Sequence, residues 1–484
     1  MSRPDWRIHA GLAFLTCVVL TAQLRPGPMY YDLGELLLYT QAILDGRTPG
    51  VDVVVNGYGP GRYLLLAGII ATTGLSPLAA AWGVFVALRV ALSSLLWELG
   101  RRVLPARLAW VPVGLMLLAP GPPHKGFFLV GSVALALASL PLLDRPDRRA
   151  LLRFGAVVGV AALFRLDLGL FGALLLTGFA LRARSLRLWL TGAAIPAVVL
   201  ALLFLVPAAL GVLGPVVEQV THDVLVNQRV PWPTFPTPLE LVTAPSISRA
   251  LLWAPLLVLG GLAVSLRRSA RPADWLLLAL GVLVANQVRM KPDFGHLLQT
   301  GPILWTCAAL LATRLGRGGP LVLLGLAGAL GLATATEQRG SPYTGAWTIP
   351  AVHTDRLETA AGTLTAAEGE AEALRRILAW VDDREGTLWI PANEPLLYAL
   401  SGRHDRVGVV GVLYVAGEPA RQADLIARLE RVQPDLAIVK DTTMEGPTRR
   451  LAVAAPPVAR WLEDHFVEEV RVGDWSLRRR RQER

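Results

Sequence analysis

Long apolar runs separated by short arginine-bearing loops make up most of the first 336 residues of the chain. An α-helix needs about 20 consecutive apolar residues to cross a bilayer. The runs predict about eleven transmembrane helices, at residues 8–24, 77–99, 108–121, 126–143, 152–165, 168–181, 188–213, 249–266, 274–289, 297–315 and 319–336. The pattern predicts an α-helical polytopic membrane protein, with a transmembrane domain at 1–336.

Two segments between the predicted spans are expected to lie outside the cytoplasm. The first is the loop at residues 25–76, in which residues 31–44 have apolar positions at helical spacing and are followed by the turn sequences GRTPG and NGYGPG. Residues 63–73 are apolar but too short to cross, which favours a helix lying in the membrane interface. The second segment, residues 214–248, carries the proline-rich sequence PWPTFPTP.

The pattern changes at residue 337, where the chain becomes polar. Strand-like stretches such as TLWIPA and LAIVKD alternate with helix-like ones such as RQADLIARLERV. Alternation of this kind predicts a small α/β domain over residues 337–484. The basic end of the chain, RRRRQER, is expected to be a solvated tail.

Composition and charge agree with a membrane protein and set its orientation. The 484 residues are 53% hydrophobic, with a net charge of +10. The arginines cluster in short loops at alternate ends of the apolar runs. This distribution follows the positive-inside rule of membrane proteins and does not indicate nucleic-acid binding. The N-terminus is then predicted to be cytoplasmic, and an odd number of spans places residues 337–484 outside the cytoplasm. The membrane is expected to be the inner or plasma membrane. The first run has no clear signal-peptide cleavage site and is interpreted as a retained helix.

A charged pair marks the predicted boundary between the spans 152–165 and 168–181. Arg165 and Asp167 are two positions apart, so on one continuous helix they would point to different faces. Charges at membrane depth are costly unless paired or functional. We therefore predict a helix break at this point, with each charge meeting another partner.

Four sequence stretches resemble the GT-C superfamily of polyprenyl-phosphate-sugar-dependent glycosyltransferases, nearest to the protein O-mannosyltransferase and aminoarabinose transferase branch. They are YYDLGELLLYTQAILDGRTPGVDVVVNGYGPG, LFRLDLGLFG, VRMKPDFGHLLQTGPILW and IPANEPLLYALSGRHDR, and the likeness covers most of the chain. One position departs from the family pattern. Many members have an acidic residue directly after the first Asp, whereas here Leu33 follows Asp32 and the next acid is Glu35.

The resemblance implies transfer of a sugar from a polyprenyl phosphate to an extracytoplasmic glycan, lipid or protein. Such a phosphate is already a good leaving group, so the reaction needs mainly a base for the acceptor hydroxyl and cations for the phosphate. The candidate base is Asp32, with Glu35 or Asp52 orienting the acceptor in an inverting single displacement. The alternative is structural, because Asp32-x-x-Glu35 before an apolar run is also a capping-box pattern. Asp45, in LDGR, is interpreted as a turn residue.

Cations for the phosphate are expected among basic residues that map to the outer face. Lysine is rare in this chain, with only Lys125, Lys291 and Lys440, and two of the three fall in predicted outer loops. A lysine ammonium binds phosphate as a point charge, although snorkelling toward the headgroups would also explain the placement. The other candidates for binding the donor phosphate are His124, Arg165, Arg289 and His296. Asp293 is predicted to cap the helix that starts at Phe294.

Several alternatives stay open. Asp32, Glu35, Asp52 and His296 could supply hard ligands to a divalent cation, although no metal-binding spacing is present. A lipid-linked glycan ligase or polymerase would depend on the loop 214–248, with His222 and Arg229. A flippase or transporter would predict internal repeats and matching broken helices, which the sequence lacks, and a membrane scaffold would need no chemistry.

Overall fold

The structure is a computed structural model that describes most of the chain. The described residues are 6–23, 32–47, 59–144, 146–209, 214, 217, 235–267, 270–337, 355–391, 394–408, 418–440 and 450–481. Asp52, His222 and Arg229 lie outside them, so the expectations that name these residues stay predictions.

Contacts divide the chain into two compact units. The first, which we call the membrane unit, comprises residues 1–25, 84–210 and 231–351. The second, which we call the loop–domain unit, comprises residues 26–83, 211–230 and 352–484. The predicted first loop therefore packs with the C-terminal region rather than standing alone. The division into domains at residue 336 itself stays a prediction.

The regular secondary structure of the membrane unit is helical in its described residues. Its helices are α1 (Trp6–Gln23), the greater part of α4 (Pro77–Val103), α5 (Val111–Leu118), α6 (Gly126–Asp144), α7 (Arg148–Phe164), α8 (Leu166–Ala183), α9 (Leu186–Ala209), α10 (Pro238–Thr243), α11 (Ile247–Leu251), α12 (Ala254–Leu266), α13 (Pro272–Met290), α14 (Phe294–Arg314) and α15 (Gly319–Leu332). Six segments are long and apolar enough to cross a membrane: Pro77–Val103, Pro123–Asp144, Leu166–Ala183, Ile247–Leu266, Pro272–Met290 and Gly316–Glu337. The predicted span 108–121 contains only the short helix α5.

Helix α14 lies at the centre of the membrane unit. Every residue from Leu297 to Ala312 is buried. The buried carboxylate of Asp274 joins the start of α13 to the end of α14. It accepts hydrogen bonds from Arg271 at 2.8 Å and from Arg314 at 2.6 Å. A buried carboxylate is tolerated when cations pair with it, so this cluster fixes the register of the two helices.

The loop–domain unit combines helices with two small sheets. Its helices are α2 (Asp32–Leu44), α3 (Gly61–Thr73), α16 (Glu368–Asp382), α17 (Leu396–Leu400), α18 (Pro419–Val432), α19 (Leu451–Ala454) and α20 (Pro456–His465). Its strands are β1 (Asp355–Thr359), β2 (Gly362–Ala366), β3 (Leu388–Trp389), β4 (Leu436–Lys440), β5 (Phe466–Val472) and β6 (Trp475–Arg480). Strands β1 and β2 form a hairpin, and the larger sheet has the order β3-β4-β6-β5, with β3 and β4 parallel. The predicted α/β pattern is therefore present.

The basic end of the chain contributes an inner strand to this sheet. The expectation of a solvated tail is wrong for the arginines up to Arg480, because they belong to β6, which pairs with both β4 and β5. Trp475 and Leu477 of the same strand are buried. Arg478 donates to the Glu463 carboxylate at 2.6 Å. Strand pairing and burial of the apolar side chains outweigh the cost of neighbouring like charges.

The third lysine has a structural place in this domain. Lys440, at the end of β4, donates to Glu394 at 3.1 Å and stands over the ring of Trp475. Burial raises the pKa of Glu394 to about 7, against the opposing charge of Lys440. Lysine at this position is therefore used for an internal ion pair.

Helix α2 packs directly against α17. A Cβ atom added at Gly34 would lie 2.1 Å from the backbone nitrogen of Leu396. Leu33 and Leu37 on either side of this contact are fully or almost fully buried. Glycine is thus required at position 34, because backbone and not a movable side chain occupies the space.

We expect Gly34→Ala to destabilise the protein by about 1–3 kcal/mol, since overpacking against backbone forces the two helices apart. The measurement is the apparent Tm of the purified full chain in detergent. Gly68→Ala in α3 is the matched control, because nothing lies within 4 Å of its added Cβ and alanine is the better helix former by about 1 kcal/mol. Equal Tm values for the two variants would contradict the packing argument.

Candidate functional site

The carboxylate of Glu35 is held in a buried ion pair between α2 and α3. Its Oε1 accepts a hydrogen bond from Arg62 Nη2 at 2.6 Å and another from the Tyr63 hydroxyl at 2.8 Å. All three residues are buried, with Glu35 at 0% and Arg62 at 3% exposure. Desolvation of such a pair is expensive, so one partner without the other would be strongly unfavourable. Glu35 is therefore fixed in one position by α3.

The two tyrosines of the cluster complete its packing. Arg62 also donates to the Tyr63 hydroxyl and lies 4.5 Å from the centre of its ring. The Tyr39 and Tyr63 rings meet edge to face at 5.0 Å. Burial raises the pKa of Tyr63 well above its usual value, so the phenol keeps its proton and can donate to Glu35.

Asp32 stands one helical turn before Glu35. It is the first residue of α2 and is half-buried. Positions three apart lie on one side of a helix, so the ion pair of Glu35 also fixes the direction in which Asp32 is presented. Asp45, at the other end of α2, forms an ion pair with His404 at 3.0 Å.

His124 and Lys125 lie on a buried helical turn, Pro123–Lys125, at the start of α6. Arg89 in α4 holds the preceding loop, since its guanidinium donates to the carbonyls of Pro120, Gly121 and Pro122, the last two at 2.8 Å. Arg89 is itself 1% exposed. A guanidinium offers several fixed N–H donors, so Arg89 can bind three carbonyls and fix the loop that carries both basic residues.

Lys291 and His296 lie at the junction of α13 and α14. Asp293 caps α14, accepting from the His296 backbone nitrogen at 2.8 Å, and also bonds the His296 ring at 2.9 Å. The predicted cap is therefore confirmed. Both Lys291 and Lys125 act electrostatically on His296. The structure thus brings the two predicted outer lysines and His296 into one neighbourhood.

The predicted helix break at Arg165 is present, but its charges pair differently from the prediction. Arg165 separates α7 from α8 in extended conformation. The expectation that Arg165 and Asp167 meet different partners is wrong, because Arg165 donates to both Asp167 oxygens, at 3.0 and 2.5 Å. The extended residue at the break lets the arginine fold back over the next turn. Its guanidinium also lies 5.0 Å from the centre of the Phe128 ring.

Two glutamines extend this pair toward α14. Gln287 donates to Asp167 at 3.0 Å, and Gln299 donates to Gln287 at 3.4 Å. Gln299 is 1% exposed, and its Oε1 has no hydrogen-bond partner among the described residues. Arg165, Asp167, Gln287 and Gln299 thus form a chain of hydrogen bonds within the membrane unit.

Arg289 is not part of this group. It is exposed and donates to Asn286 at 2.8 Å. Among the described residues, no group of three or more His, Cys, Asp or Glu is arranged to hold a metal ion.

Sequence reasoning did not assign roles to Arg62, Tyr63, Arg89, Gln287 or Gln299. For Arg62 and Arg89 the signal was present, because each is an arginine inside a largely apolar helix, which requires a partner. For the glutamines no local pattern marks the contact, since Asp167 and Gln287 are 120 positions apart.

Loss of the arginine from the buried ion pair should be costly. We expect Arg62→Gln to destabilise the protein by about 3–5 kcal/mol, because Glu35 would be buried without a cation. The double variant Glu35→Gln/Arg62→Gln should recover much of that loss, and Tyr63→Phe should cost only about 1 kcal/mol. Apparent Tm values of the four full-length proteins measure the effects. A double variant that is no more stable than Arg62→Gln would contradict the ion-pair account.

No protein-family model matches this sequence. No curated protein is detectably similar to it in sequence. Its structure, however, resembles ArnT from Cupriavidus metallidurans bound to undecaprenyl phosphate, with a TM-score of 0.57, 14% identity and coverage of 99% of this chain and 98% of that chain. The apo form of the same protein gives a TM-score of 0.56, with 14% identity and 97% of each chain covered.

An oligosaccharyltransferase from Archaeoglobus fulgidus, tethered with an acceptor peptide, is also similar, with a TM-score of 0.52, 12% identity and coverage of 96% of this chain and 72% of that chain. Both neighbours are members of the GT-C superfamily. At these identities the likeness establishes the fold. The chain therefore has the GT-C fold that its sequence motifs led us to expect.

Proposed function

We propose that the protein is an integral membrane glycosyltransferase that moves a hexosyl or pentosyl group from a polyprenyl-phosphate donor to an extracytoplasmic acceptor. In this proposal about eleven helices cross the inner or plasma membrane. The N-terminus is cytoplasmic, and residues 337–484 form an extracytoplasmic domain. The resemblance in fold to ArnT, whose structure contains undecaprenyl phosphate, supports a lipid-phosphate donor.

The observation that carries the proposal is the contrast between the two carboxylates of α2. Glu35 is fully buried and committed to Arg62 and Tyr63. Asp32, one turn earlier, is half-buried at the helix N-terminus, where the helix dipole favours an ionised carboxylate. In this proposal Asp32 is the ionised carboxylate that the half-buried helix start presents to the acceptor, and Glu35 is a positioning residue. Asp52 remains a second candidate for orienting the acceptor.

The reaction is a single displacement at the anomeric carbon. The acceptor oxygen forms a bond to that carbon while the bond to the phosphate oxygen breaks, which inverts the configuration. The hydroxyl proton goes to Asp32, acting as general base. The electron pair of the broken bond leaves with the polyprenyl phosphate, whose increased negative charge needs cations.

The cations proposed for the phosphate are the group around Lys125 and Lys291. Both lysines act electrostatically on His296, and His124 shares the helical turn of Lys125. A bound phosphate near His296 would be attracted by both ammonium groups. Arg165 is the less suitable phosphate ligand, because its guanidinium already donates to both oxygens of Asp167. Arg289 is the least suitable of the candidates, because its side chain is exposed.

Asp32→Asn should reduce sugar transfer by about 100- to 10,000-fold, since it removes the general base while keeping size and polarity. The measurement is transfer of label from radiolabelled polyprenyl-phosphate sugars to a membrane acceptor extract, using purified full-length protein. Asp464→Asn is the control, because Asp464 is an exposed acid in α20.

Full transfer by a folded Asp32→Asn protein would disprove the role of Asp32 and move the search to Asp52. An unchanged apparent Tm for the variant shows that the loss is chemical. Failure of the wild type to transfer any sugar from a complete donor panel would overturn the proposed activity.

Lys125→Gln and Lys291→Gln should each raise the KM for the lipid-phosphate donor by about tenfold, since each removes one cation worth about 1.4 kcal/mol of binding. The KM for the acceptor should not change. Arg317→Gln, which removes an exposed cation from another loop, serves as the control. An unchanged donor KM in both lysine variants would show that the lysines only anchor their loops to the headgroups.

A further inference from the structure

A cavity of about 590 Å³ lies in the loop–domain unit, away from the carboxylates of the α2 N-terminus. Two turns, a residue before a strand and a helix end surround it. They are the turn after α2 with Asp45 and Arg47, the turn after α17 with His404 and Arg406, Thr387 before β3, and Arg431 and Val432 at the end of α18. Its size is within the roughly 300–1,000 Å³ that is usual for ligand sites.

The walls of the cavity are held by specific contacts. His404 and Asp45 form an ion pair at 3.0 Å, which joins the turn after α2 to the turn after α17. Arg47 donates to the carbonyl oxygen of Asp405 at 3.1 Å, which is a second bond between the same two turns. The cavity is therefore a fixed feature of this unit.

The charge around the cavity is strongly positive. Three arginines line it against the single carboxylate of Asp45, which already pairs with His404. Arg406 and Arg431 are exposed and make no side-chain hydrogen bond or ion pair with any residue in the described part of the chain. By contrast, Arg384 and Arg478 of this unit are paired with carboxylates. Unpaired guanidinium groups around a cavity suit a phosphate or carboxylate, which they can bind with two parallel hydrogen bonds.

We propose that this cavity binds an anionic group, a phosphate or a carboxylate, of the acceptor substrate. The acceptor is then an anionic glycan or glycolipid. This inference rests on the proposed function, because it takes Asp32 as the base that activates the acceptor hydroxyl.

Helix α2 sets the distance between the two sites. Asp32 is its first residue, and Asp45 and Arg47 directly follow its last residue, Leu44. Thirteen residues of α-helix span about 18–20 Å. An acceptor that reaches both sites is therefore extended, with its anionic group about that far from the hydroxyl that is glycosylated. Binding at a remote point would position the hydroxyl without taking part in the chemistry.

Direct binding of inorganic pyrophosphate to the full-length protein in detergent provides the first test. We expect Arg406→Gln/Arg431→Gln to weaken pyrophosphate binding by about tenfold or more, as loss of charge-assisted contacts predicts. The matched control is Arg376→Gln/Arg460→Gln, which removes the same charge from two exposed arginines of the same unit that do not line the cavity. Both comparisons are repeated in a Lys125→Gln/Lys291→Gln background, which removes binding at the proposed donor cations. Equal affinity for the cavity variant and its control would overturn the proposal.

Kinetics provide the second test. In the cavity variant the KM for the acceptor should rise about tenfold, whereas kcat and the KM for the donor should not change. Phosphatidylglycerol vesicles are also tested as competitors of pyrophosphate for the wild type and the cavity variant. If the vesicles displace pyrophosphate only when Arg406 and Arg431 are present, and the acceptor KM is unchanged in the cavity variant, the site binds lipid headgroups and the acceptor assignment is wrong.

The two tests separate this proposal from the proposed function. If Asp32→Asn abolishes transfer but the cavity variant behaves like wild type in both tests, only the cavity proposal fails. If the cavity variant loses pyrophosphate binding but wild type shows no transfer from any donor, the anion site stands, but its assignment to an acceptor falls with the proposed function.

Discussion

The buried ion pair between Glu35 and Arg62 is the constraint on which the candidate site depends. Removing both charges from water is expensive, and the short contact with Arg62 and the hydrogen bond from Tyr63 offset that cost only in one geometry. Helix α3 therefore fixes one side of α2. On another side, Gly34 lies directly against the backbone of α17. With α2 held at both places, the packing of the helix fixes the direction in which Asp32 is presented.

Arginine and lysine have different duties in the membrane unit, and the physical difference between them explains the division. Arg89 binds three carbonyls and Arg165 binds both oxygens of one carboxylate. Both arrangements use the planar fork of a guanidinium. A lysine offers a compact charge without that geometry, which makes it a poor clamp but a suitable partner for a mobile ligand phosphate. The grouping of Lys125 and Lys291 near His296 is consistent with that use.

The sequence predicted features that depend on local pattern. Hydropathy located the long helices, the charged pair located the break at Arg165, and a capping residue located the start of α14 at Phe294. The contacts that build the site join distant positions, such as Gly34 with Leu396 and Asp167 with Gln287. No local pattern encodes them. The prediction of a solvated tail at the basic end of the chain was wrong because that end forms strand β6 by pairing with the distant strand β4 as well as with β5.

The two ends of α2 have opposite electrostatic requirements, and the residues at each end meet them. The N-terminus exposes backbone N–H groups, which favour an anion, and Asp32 stands there. The C-terminus exposes carbonyls, which favour cations, and Arg47 and His404 lie beside Asp45 at that end. One short helix thus favours the Asp32 carboxylate at its start and the Arg47 guanidinium beyond its end. In the proposed transferase, the rigid helix that orients the proposed base Asp32 also sets its distance from the proposed anion site.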